Sequence, residues 1–176
     1  EDITREFSNW ALDIDLNDTL ALTLLHQSLM QDDVPRTHST VFSVPFAGTE
    51  SGTDLRRTKD QKRSLSYVKA RGEGIHSPIL DEIELTLSNQ PRRESEIRIR
   101  GDSVRINQFF ESDLWAINSV FAKDLVNADL VYGVDYSHET IASGRTDFDP
   151  ISENTERRIQ GPVGDDSKYE KIGSIE

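Results

Sequence analysis

Apolar and polar residues alternate along much of this chain. Leu12, Ile14 and Leu16 fall on one face and Asp13 and Asp15 on the other; after Asn17-Asp18 the alternation resumes with Leu20, Leu22 and Leu24. A two-residue interruption between alternating runs is a hairpin signal, so a turn is predicted at Asn17-Asp18. A helix over Leu20 to Met30 competes, because Leu22, Leu25 and Leu29 are spaced at three and four. Further strands are predicted at 39–46 (Phe42, Val44 and Phe46 on one face), 65–71, 82–87 with Ile83, Leu85 and Leu87 inward, 96–100, and 130–136 with Tyr132 and Tyr136 on one face. Asn89-Gln90-Pro91 and Ser143-Gly144 read as turns. Gly101-Asp102 reads as a two-residue hairpin turn pairing Ile99 with Val104 and Ile97 with Ile106, leaving Arg98 and Arg105 outward and opposite each other. Glu94, Glu96 or a partner would then supply their counter-charge.

Two segments break the period. Behind Ser112 as an N-cap, Leu114, Ile117 and Phe121 recur at helical spacing, predicting a helix over 112–125. Residues 49–63 hold almost no apolar side chain and read as a mobile or partner-ordered loop. From Phe148 onward, Pro150, Gly161-Pro162 and Gly164 mark an extended arm with small, spaced hydrophobes. The division expected is a β-rich domain over 1–148 and a C-terminal arm over 149–176. The fold class is mainly β, a β-sandwich or jelly-roll with one helix, with an α+β domain as the fallback.

Length changes this picture little: 176 residues suit one core. Charge changes it more. The net charge is −12, which repels phosphate backbones and anionic membranes, so no direct nucleic acid partner is expected. Six lysines against fourteen arginines, and eighteen aspartates against fourteen glutamates, make a saline-adapted, halophilic surface one reading and an ordinary acidic protein the other. No apolar run approaches the roughly 18 residues of a membrane helix, the best being Leu20 to Leu25 with Thr23 inside it, so no membrane span is expected.

Candidate chemistry is thin. The chain has no cysteine, and His26, His38, His76 and His138 lack metal-ligand spacing. Nothing assembles a nucleophile with a base or a phosphate-binding loop, so no enzyme, catalytic residue, metal or cofactor is expected. Asp13, Asp15 and Asn17 mimic a calcium loop whose later positions fail, and Asp147 with Asp149, or Asp165-Asp166, could hold a hard cation at a subunit contact. Arg100-Gly101-Asp102 matches an adhesion tripeptide at an exposed tip, although Gly-Asp is also what a turn requires, and Asn17-Asp18-Thr19 is a glycosylation sequon.

The string of strands at 39–46, 65–71, 82–87, 96–106 and 130–136, followed by the tail, resembles the small single-jelly-roll coat proteins of icosahedral viruses infecting halophilic archaea. Tail-tube proteins of tailed viruses are about equally similar. The resemblance implies a structural protein of the virion that self-associates, alone or with a second structural protein; the alternative is a cell-surface or adhesion module. Interface residues expected on that reading are Arg98, Arg105, Ile151, Ile159, Val163, Tyr169 and Ile172.

Overall fold

A computed structural model describes residues 3–48, 50–158 and 167–175, with only the backbone and Lys171 entering the description over the last segment. The chain is mainly β, as expected, and its strands form one open antiparallel sheet. They are β1 (Thr4–Asn17), β2 (Leu20–Pro35), β3 (Arg56–Gly72), β4 (Glu82–Ile99), β5 (Arg105–Leu125), β6 (Ala128–Asp149), β7 (Asn154–Arg158) and β8 (Ser167–Ile175). β1 to β7 follow one another as a simple meander, and β8 returns to pair with β6. No second sheet stacks on this one among the described residues. The segment expected as an arm thus contributes β7 and β8 to the sheet, both against β6.

The predicted hairpin is present with its turn one residue later, at Asp18-Thr19, where Asn17 pairs with Leu20 and its side chain accepts bonds from the Thr19 amide and hydroxyl, and β2 is a strand rather than a helix. Four expectations are corrected. Residues 112–125 lie in β5, not in a helix: the helical spacing of Leu114, Ile117 and Phe121 coexists with a period of two, and pairing with β4 and β6 over the full length decides between them. Residues 56–63 belong to β3; a strand needs no apolar face when its charges are met across the ladder, as Lys59 and Arg57 are met by Glu94 and Glu96. Residues 39–46 are not a strand, the segment being a short 3-10 turn (Thr37–Ser39) and bends, tied by a single parallel bridge from Thr40 to Asp54. The turns expected at 89–91 and 143–144 are strand interior. Pro91, which has no N–H to donate, sits where the β3–β4 register omits Ser64 and Leu65 while pairing with Asp113 of β5 continues.

The register also separates the two faces. Paired residues project to the same side, so one face carries, strand by strand, Leu12, Leu24, Val68, Leu87, Ile117 and Tyr136, and the positions beside them carry Asp13, Thr23, Lys69, Thr86, Asn118 and Asp135 on the other. The apolar set stays exposed: Leu12 50%, Leu87 45%, Ile117 43%. Ile83, Leu85 and Leu87, expected inward, all point out on this side. Along β5 exposed residues alternate with half-buried ones, and the half-buried residues are on the polar side. That side is therefore the concave one.

Candidate functional site

The concave face holds a hollow of about 640 Å³ whose lining runs from Phe7 on β1 to Glu139 on β6. Beside it, toward the end of the sheet that carries the 36–55 connection, a ladder of paired charges fills the same face. Arg57 donates to both Glu96 oxygens at 3.0 and 3.3 Å and to the Ser39 hydroxyl at 3.1 Å. Arg98 donates to Asp54 at 2.9 Å, and Asp54 is 1% exposed. Asp147 receives Arg145 at 2.6 Å and lies 3.4 Å from Arg158. Glu94 receives Lys59, Arg92 and the Gln61 amide.

These contacts set the titration of the carboxylates. Burial disfavours the charged form of Glu94, but Lys59, Arg92 and Gln61 together outweigh it and hold the group at about 2. The bonds from Arg145 likewise hold Asp147 below the ordinary range, against a smaller opposing effect of burial. Asp81, at the opposite end of the sheet, is lowered first by the Lys123 ammonium and then by the Asp124 amide.

Asp54 also organises the longest connection. Its carbonyl accepts from the Val41 amide, its own amide donates to Ser39, and Gly52 lies so close to the Ser39 carbonyl that any Cβ there would sit 1.9 Å from the oxygen. Replacing Asp54 by Ala is expected to lower stability by about 1–3 kcal/mol, less than the about 3–5 kcal/mol of a fully buried pair because Arg98, 38% exposed, can turn to water. Chemical denaturation read by tryptophan fluorescence checks this, and Asp102→Ala at the exposed turn serves as the neutral comparison.

Of the residues singled out in the sequence, Arg98 and Arg105 fall on opposite faces. The turn spans Arg100 to Val104, with Ser103 at φ 67° and the Asp102 carboxylate accepting from the Val104 amide. That loop pairs Arg98 with Ile106 and Ile99 with Arg105, one residue off the expected register, and a one-residue slip moves every side chain to the other face. Arg98 finds Asp54, an acid the reading did not consider, and Arg105 bonds Asn107 at 3.2 Å. Ile151 is 86% exposed in the β6–β7 turn. Ile159 and Val163, with Asp165-Asp166, lie outside the described residues, as do the side chains of Tyr169 and Ile172. The charged ladder was missed, although its signal is present: Arg57, Lys59, Gln61 and Arg63, and Arg92, Glu94, Glu96 and Arg98, both alternate at period two.

The convex face is graded along the strands. Rows of Ile14, Leu22, Ala70, Leu85, Ser119 and Val134, and of Leu12, Leu24, Val68, Leu87, Ile117 and Tyr136, are bounded on one side by Gly72, Ile83, Phe121 and Tyr132 and on the other by Trp10, His26, Ser66, Asn89, Trp115 and His138. Trp10 stacks on His26 at 5.9 Å and Phe121 on Tyr132 at 5.2 Å. Beyond the tryptophan row come Ser8, Ser28, Ser64, Asp113 and Thr140, then Glu6, Met30, Lys62, Arg93 and Glu111. From Trp115 to Phe121 the belt measures ~20 Å along the strand at about 3.4 Å per residue.

No protein-family model, curated protein or solved structure matches the chain.

Proposed function

We propose that this sheet is part of the wall of a transmembrane β-barrel, its convex face against lipid and its concave face toward an aqueous lumen. One observation carries the reading. Across six consecutive strands the convex rows through Leu85 and Leu87 are apolar but for Ser119, and the concave row between them is polar and hydrogen-bonded: Thr23 donates to Asp13 at 2.7 Å, Lys69 meets Glu84 at 2.8 Å, and Asn118 donates to Asp135. A sheet built for water does the reverse, or covers its apolar face. An apolar band flanked by aromatic rows, above a polar interior, is the pattern lipid imposes on strands. The outward positions from Leu130 to His138 span nine residues of β6, at the lower end of the about 9–11 that a tilted transmembrane strand uses. Among the described residues no helix is long and apolar enough to cross a membrane. The proposal departs from the expectation of no membrane span, which rested on unbroken apolar runs; a strand crosses with every second residue and leaves no run. Closure then requires further strands beyond β1, whose outer edge has no partner among the described residues.

A second reading keeps the virion structural protein, in a coat or tail. The unpaired β1 edge favours it, since edges are where sheets join in repeated assemblies, and two copies stacked on their apolar faces would make the sandwich expected from the sequence. An extracellular module would need the same cover.

Single cysteines separate these readings cleanly, because the chain has none of its own. A fluorophore placed in turn at Val134, Asp135, Tyr136 and Ser137, in phosphatidylcholine vesicles, is expected to alternate: positions 134 and 136 quenched by brominated lipid, 135 and 137 by aqueous iodide. Quenching of all four by iodide would sink the membrane reading. Shielding of 134 and 136 from iodide in lipid-free oligomers would establish the assembled one.

A further inference from the structure

We propose that the hollow on the concave face binds an organic oxyanion, a carboxylate or phosphate ester carrying an apolar group, through Arg63 and Arg92. The two arginines are directly opposed on β3 and β4, and both line the hollow. Like charges facing each other across a ladder repel unless something lies between them. Protein carboxylates do not do so here. Glu94 serves Arg92 but is shared with the Lys59 ammonium and the neutral Gln61 amide, and the Arg63 side chain makes no hydrogen bond or ion pair with any described residue. The guanidinium fork matches the two oxygens of a carboxylate or phosphate.

The rest of the lining says what the anion is attached to. Phe7, Leu29 and Leu114 face the hollow on the same side as the arginines, and Arg92 lies over the Phe110 ring at 6.0 Å. A bare inorganic ion would leave that apolar floor in water; a ring or short chain beside the oxyanion covers it. Glu139, the acid of the hollow, accepts from Ser112 and stands on β6, three strands from Arg63, or ~14 Å at about 4.8 Å per strand. The site does not depend on what covers the convex face, so it can fail or stand apart from the membrane reading.

Phenyl phosphate, inorganic phosphate and benzyl alcohol serve as probes in calorimetric titration of the full chain in non-ionic detergent, where benzyl alcohol measures any partition into micelles. Phenyl phosphate is expected to bind at least about tenfold more tightly than either comparison. Arg63→Gln should weaken it about tenfold and Arg63→Lys by less, with circular dichroism unchanged, whereas Arg93→Gln, on the opposite face, should leave it as it was. Equal affinity for phenyl phosphate and benzyl alcohol, or an Arg63→Gln protein that binds as the parent does, would overturn the site. Equal affinity for phenyl and inorganic phosphate would overturn the apolar half of it.

Discussion

Leu87→Arg is expected to lower the stability of the membrane-inserted protein by about 2–4 kcal/mol, a factor of roughly 30 to 900 in the equilibrium between inserted and released forms. Leu87 sits in the middle row of the belt, opposite Val68 on one side and Ile117 on the other, and 45% of it is exposed. An arginine there has no carboxylate within its own row and must either enter the hydrocarbon or bend the sheet. In water the same change is nearly free, within about 0.5 kcal/mol, because an exposed strand position tolerates a long charged side chain. The adjacent Thr86→Arg supplies the comparison: residue 86 is on the concave face beside Lys69 and Asn118, and should shift stability far less. Urea titration of vesicle-inserted protein, read by the fluorescence of Trp10 and Trp115 at the edge of the belt, measures both. Equal effects of the two substitutions would remove the distinction between the faces on which the membrane reading stands.

The same distinction explains what the sequence could and could not disclose. Alternation at Leu12–Leu16, Leu20–Leu24 and 82–87 was enough for strands and the first hairpin, because period two is a property of the backbone whichever face is wet. It could not say which face is the inside. Ile83, Leu85 and Leu87 would point inward on a sheet whose apolar face is covered; here they lie on the convex face and the charges on the concave one. Polar strands suffered most. Residues 56–63 hold almost no apolar side chain and look like a loop, but Arg57, Lys59 and Arg63 alternate as regularly as the leucines do, and the partners of Arg57 and Lys59 lie 39 and 35 residues away at Glu96 and Glu94, a separation no local window spans. Residues 112–125 failed for another reason. Ile117, Val120 and Phe121 suit strands, yet their spacing also fits a helix, and only the two long neighbouring strands select between the forms. The Arg98–Arg105 pair failed by a single residue of turn length.

Glu94 is the carboxylate whose loss should be felt most on the concave face. Its ordinary value of 4.5 falls to about 2 in the folded chain, so between those values the unfolded state binds the proton and the folded state does not. The stabilisation is therefore complete above pH 4.5, declines as pH falls through the window, and is gone below about 2; the full shift corresponds to at most roughly 3 kcal/mol. Asp147 and Asp81, also lowered, contribute to acid sensitivity in the parent protein, so the informative quantity is the difference between parent and Glu94→Ala. That variant leaves Arg63 and Arg92 with no acid between them and Lys59 facing only Glu96, which Arg57 already occupies, and is expected to lose about 2 kcal/mol at neutral pH. Its deficit should shrink steadily from pH 4.5 toward 2, measured by denaturant unfolding at fixed ionic strength. Salt should shrink it too, since the repulsion between the exposed Arg63 and Arg92 is screened over about 10 Å at 0.1 M. A deficit that persists unchanged at pH 2 would mean that Glu94 contributes through packing against Phe110 and not through its charge, and the ladder of ion pairs would then have to be held by the sheet that carries it.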